Sequence, residues 1–202
     1  SSACLMSFVY MDVFLVRGLI GGSQSGYYAA AQKLSSVMYF IPGVLAVVLF
    51  PRASAKFAAG TEPWRLFWKV QASVAAICGS VAIVFAVFPG WSMRMVFGSR
   101  YVSGAPLLPV LSLAMFCFSM LPVCSQFLLA TDRYGFVYLL VAGAIVEVIA
   151  VFLFHASARR VAWVVAAVSV ATLASMGAYV SSYWLSWQSA RKSESAGEEA
   201  TA

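Results

Sequence analysis

Residues Gly26–Arg52 read GYYAAAQKLSSVMYFIPGVLAVVLFPR, and this stretch decides the class of the whole chain. About 20 residues at roughly 1.5 Å each cross a hydrocarbon core near 30 Å, so the stretch is long enough for a transmembrane helix. Yet Lys33 lies well inside the apolar run. An unpaired ammonium at mid-membrane costs at least about 2.5–3.5 kcal/mol, so Lys33 is expected to face a bundle interior, a wet cavity or a counter-charge. Ser25, Tyr28, Gln32, Ser36 and Tyr39 recur at spacings of three and four. That spacing aligns them on one helical stripe, a candidate lumen lining. Pro42-Gly43 removes a backbone donor and crowds the preceding turn, which predicts a kink or hinge.

The rest of the chain has the same character. It is 62% hydrophobic and 10% charged with mean hydropathy +0.89, far from the roughly 45–50% apolar and about 25% charged of soluble domains. The sequence predicts an all-α polytopic membrane protein with six spans, at about 5–20, 26–50, 70–89, 106–130, 136–155 and 161–187. Val70–Met93 is free of charge over 24 residues. Between the second and third spans, ASAKFAAGTEPWRLFWK is a polar connection in which Lys56, Arg65 and Lys69 flank an aromatic cluster of the interfacial kind. RMVFGSRYVSGAP reads as a loop or interfacial turn, and Pro122 predicts a second hinge inside the fourth span. The tail 188–202, ending RKSESAGEEATA, is too poor in apolar residues to pack and is expected to be disordered. The opening SSACLMSFVYMDVFLV has neither an initiator Met nor a signal-peptide pattern, so the sequence reads as a fragment.

Six spans put both ends on one side of the membrane. Arg52, Lys56, Arg65, Lys69, Arg133, Arg191 and Lys192 make seven cations on that side, against five for Arg17, Arg94, Arg100, Arg159 and Arg160. The positive-inside rule then predicts cytoplasmic termini. The net charge of +6 comes from cations scattered between apolar runs, which gives no support to a nucleic-acid partner. Cys4, Cys78, Cys117 and Cys124 all lie in apolar stretches without a CxxC pair or a nearby histidine, so they read as buried fillers, with no metal site or cofactor implied.

Embedded charges mark the candidate site. Asp12 and Arg17 are five apart, about 140° round a helix, and so cannot pair with each other. Counted from a turn at residues 21–25, Asp12 and Lys33 lie roughly 12 and 10 Å deep in an antiparallel hairpin, which predicts that they meet. Asp12 could fix Lys33 and Arg17 in place or bind a coupling cation. Glu147, one helical turn after Gly143, is a second candidate for coupling. Lys33, Arg17, Asp12, Gln32, Tyr28 and Ser36 form the candidate lumen set, where a cation suits an anionic phosphate because charge-assisted contacts strengthen in a low dielectric.

Taken in order, YMDVFLV (around Asp12), GYYAAAQKL, PGVLAVVLFPRASA, VFGSRY and LLATDRYG resemble the second half of the polysaccharide-unit (O-antigen type) flippases of the multidrug/oligosaccharidyl-lipid/polysaccharide export superfamily. The resemblance covers most of the chain. It implies one six-helix lobe of a twelve-helix, two-lobe transporter, the partner being the N-terminal six-helix lobe of the same protein. It also implies alternating access in the bacterial inner membrane and, as substrate, an undecaprenyl-diphosphate-linked oligosaccharide moved to the outer leaflet, with polysaccharide polymerase, glycosyltransferases and membrane lipids as partners. Lipid II flippases and the cation-coupled drug antiporters of the superfamily are similar over the same stretch. From another class, an integral membrane glycosyl- or acyl-transferase would want paired carboxylates, a metal cluster or an activated nucleophile near one face, and Glu62 and Asp132 stand alone there. A non-enzymatic transporter is the expectation.

Overall fold

A computed structural model of the chain describes residues 12–18, 22–58, 64–131, 134–154 and 157–201. Every regular element among them is helical: α1 (12–18), α2 (Gly22–Ser35), α3 (Val37–Ala58), α4 (Trp64–Val87), α5 (Pro89–Phe97), a 3₁₀ segment (Ser99–Leu107), α6 (Leu108–Ala130), α7 (Phe136–Leu153) and α8 (Ala158–Thr201). Four helical stretches among the described residues are long and apolar enough to cross a membrane, namely Trp64–Val87, Ser99–Ala130, Phe136–Leu153 and Ala158–Leu185. This is the fold of a membrane-embedded helical protein.

A helix that is apolar on every side must be buried on every side or lie in lipid. The chain uses both solutions. The Ser99–Ala130 stretch is 78% buried over its most apolar window, whereas Trp64–Val87 is 11% buried. Accordingly α6 is the axis of the bundle, with α2, α3, α4 and α8 packed round it, and α7 leans on α8. The outer helices turn Ile83, Val87, Ile145, Ile149 and Phe152 outward. Apolar surface on that scale calls for acyl chains rather than water.

The central stretch is not one span. The helix breaks at Ser36, where the Tyr39 amide donates to the Ser36 carbonyl at 3.0 Å in a tightened turn, and α3 then runs through both Pro42 and Pro51 without interruption. The break thus precedes the Pro42-Gly43 hinge expected from sequence. Pro42 has no N–H for the carbonyl one turn back, that of Met38. The Cys78 thiol of α4 reaches this carbonyl at 3.5 Å, so a residue read as filler supplies a donor for the proline helix. Pro122, the other expected hinge, is buried inside the continuous α6.

Three further boundaries differ from the sequence reading. The polar connection ends in helix: α4 starts at Trp64, and Trp64 and Phe67 are core residues stacked with Phe127 at centroid distances of 4.8 and 4.6 Å, leaving Trp68 exposed. The stretch read as a loop after Met93 holds the end of α5 and the 3₁₀ segment, separated by Gly98 at φ +83°. Gly104 brings this segment against α2, because a Cβ there would stand 3.0 Å from the Tyr27 carbonyl oxygen. At the far end α8 continues to Thr201, taking the tail expected to be disordered into a helix whose Ala and Glu residues are good helix formers.

Candidate functional site

Asp12 on α1 is buried, at 1% exposure. Its two carboxylate oxygens are both occupied: the Val13 amide donates to Oδ1 at 2.7 Å and the Tyr28 hydroxyl donates to Oδ2 at 2.8 Å. Tyr28 itself is fully buried on α2. A third polar group comes from much further along the chain. Glu147 of α7 is 2% exposed and lies within electrostatic range of both Asp12 and Tyr28. Its Oε1 has no hydrogen-bond partner among the described residues. A hydrogen-bonded carboxyl and phenol from α1 and α2 therefore share the interior of an apolar bundle with a second buried carboxyl, on α7, within electrostatic range. Burial of a polar atom without a partner costs on the order of 1–3 kcal/mol, and intramembrane carboxyl groups are retained chiefly where they serve function.

The pairing differs from the expected one, since Tyr28 rather than Lys33 takes the acceptor at Asp12. The depth count assumed that the second helix begins at Gly26, but α2 begins at Gly22. Counted from Gly18 and Gly22, Asp12 and Tyr28 are each six residues in, about 9 Å, whereas Lys33 is eleven in, about 17 Å. Rotation separates them as well, because positions 28 and 33 differ by about 140° round the helix.

The polar stripe also faces the other way from the expectation. Tyr28, Gln32, Ser36 and Tyr39 are buried within the bundle, and Ser36 donates to the Lys33 carbonyl at 2.9 Å. Lys33 is exposed near the end of α2, and Val37 and Phe40 at the start of α3 are both more than half exposed. It sits in the last turn of α2, where the helix dipole favours a cation. Arg17 is likewise exposed on α1, beside the exposed Phe14 one turn away. Thus the structure joins Asp12 to Tyr28, buries Glu147 within electrostatic range of both, packs Gln32 and Ser36 inside, and puts Lys33 and Arg17 on the surface. Cys4, Glu62, Asp132, Arg133 and His155 lie outside the described residues.

Sequence reading singled out each member of the cluster but did not join Glu147 to the other two. Among the described residues no group of three or more His, Cys, Asp or Glu side chains is arranged to hold a metal ion. Set against known protein families, curated proteins and solved structures, the chain finds no match.

Proposed function

We propose that the protein is a transporter of the bacterial inner membrane that moves an undecaprenyl-diphosphate-linked oligosaccharide to the outer leaflet by alternating access, with this chain forming one lobe of a twelve-helix flippase. The reading is carried by the Asp12–Tyr28–Glu147 cluster: a hydrogen-bonded carboxyl and phenol buried in the helical bundle, with a second buried carboxyl in electrostatic range whose Oε1 has no partner among the described residues. In this reading the cluster is the ion-coupling element, and occupancy at Glu147 biases the packing of α7 in the bundle. Lys33, exposed in the chain just before the exposed Val37 and Phe40, is the contact for the diphosphate, where an ammonium on an apolar surface attracts an anion more strongly than in water. The burial of Asp12 and Glu147 favours transport over catalysis, because a glycosyl- or acyl-transferase needs its carboxylates open to substrate.

The test is outer-leaflet exposure of a lectin-detectable lipid-linked oligosaccharide in proteoliposomes of the full-length protein. Glu147→Gln is expected to lower the rate by about tenfold or more, the equivalent of roughly 1.4 kcal/mol of lost coupling. Lys33→Ala is expected to do the same, and Lys33→Arg to keep partial activity because it preserves charge while changing its shape. Wild-type rates from Glu147→Gln and Lys33→Ala together would sink the assignment.

A further inference from the structure

At one end of the bundle the start of α2, the end of the 3₁₀ segment and the start of α8 enclose an open cavity of about 370 Å³. Its polar lining is Gln24, Tyr27, Ser103, Ser157 and Arg159, with Pro106, Leu107 and Ala158 as its apolar wall. Among the described residues none of the lining is acidic, and every one of the polar side chains can donate a hydrogen bond. Arg159 supplies a fixed positive charge with a planar fork suited to phosphate oxygens. Ser157 Oγ accepts from the Arg160 amide at 3.3 Å, which leaves its hydroxyl proton free to donate elsewhere.

The walls are also held in place. Tyr27 meets Tyr101 edge-on at a centroid distance of 6.2 Å, and the close approach of Gly104 to the Tyr27 backbone locks the 3₁₀ segment onto α2. Tyr27 and Tyr101 lie at this end, and such amphipathic rings favour the headgroup level of a bilayer.

We infer that this cavity binds the phosphate ester of a membrane lipid, with Arg159, Gln24 and the two serines on the phosphate and Tyr27 and Leu107 against the start of the lipid chain. The Arg159 cation, with no carboxylate among the described lining residues to offset it, selects an anion, and the apolar walls favour an ester carrying hydrocarbon over a bare ion. The site is separate from the Asp12–Tyr28–Glu147 cluster and does not depend on what cargo the protein moves.

The test reads lipid retention rather than transport. The purified protein is exchanged into nanodiscs of equimolar phosphatidylglycerol and phosphatidylcholine, extracted, and the lipid that stays bound is quantified by mass spectrometry. Wild type is expected to retain phosphatidylglycerol preferentially, and Arg159→Ala to lose about tenfold of that retention, in keeping with one charge-assisted contact. Ser103→Trp, at an exposed lining position, should fill the cavity and give the same loss with every cation intact. Arg160→Ala, an exposed neighbour outside the lining, should leave retention unchanged. Equal loss from Arg159→Ala and Arg160→Ala, or none from Arg159→Ala and Ser103→Trp, would overturn the inference. Displacement of the lipid by inorganic phosphate at matching concentration would assign the cavity to the free anion and overturn the lipid as its source, whereas resistance to phosphate supports the ester.

Discussion

At the scale of single residues, the Tyr28 hydroxyl decides how Asp12 is accommodated. Its donation to Oδ2, together with the Val13 amide at Oδ1, gives the carboxylate a partner for each oxygen inside an apolar bundle. Tyr28→Phe would leave one buried oxygen without a donor, at a cost of about 1–3 kcal/mol. The expected outcome is a lower thermal midpoint in detergent than for Tyr138→Phe, an exposed position on α7 where the same chemical change touches no buried acceptor. Equal midpoints would remove Tyr28 from its assigned role. The same contact bears on Lys33. Were Asp12 and Lys33 a mutually neutralising pair, Asp12→Asn with Lys33→Gln would restore what either single change removes. With Tyr28 holding Asp12, the two defects are expected to add in the flipping assay.

At the scale of elements, a helix carrying an internal proline survives by borrowing a donor from its neighbour. Pro42 frees the Met38 carbonyl, and the Cys78 thiol, from the one face of α4 turned inward, reaches it. Cys78→Ala is expected to destabilise the protein by about 1 kcal/mol or more through the lost hydrogen bond and sulfur contacts. Cys78→Ser should recover part of that loss because it restores a donor, and a denaturation series in mild detergent would rank the three proteins. A serine variant no better than alanine would reduce the contact to packing. That donor was not legible in the chain, because the spacing of 40 positions between Met38 and Cys78 carries no periodic signal. Nor was the Ser36 break, since Leu34-Ser35-Ser36-Val37 contains neither Gly nor Pro, the usual sequence signs of a helix end.

At the scale of the whole molecule, the apolar flanks of α4 and α7 and the buried axis α6 describe one face in lipid and one set of contacts inside. The charge balance predicts cytoplasmic termini, and the aromatic level round Tyr27 and Tyr101 then lies on the outer side. A fluorescent protein fused after Ala202 is expected to fluoresce, whereas alkaline phosphatase at the same place stays inactive. The reverse pattern would invert the orientation and move the phosphate cavity to the inner leaflet.

Composition and the length of its apolar runs determined that the chain is helical and membrane-embedded, because an unbroken run such as Val70–Met93 is far longer than a membrane strand and satisfies its backbone within itself as helix. It likewise pointed to Asp12, Lys33 and Glu147, since charge in an apolar run is visible without a fold. What only the tertiary structure decided is which of these groups meet. Helix starts set depth and helix rotation sets direction, and a shift of α2 by four residues moves Lys33 away from Asp12 and brings Tyr28 to it. Glu147 joins them from α7 across more than a hundred residues, a proximity created by packing that no local pattern in the chain encodes.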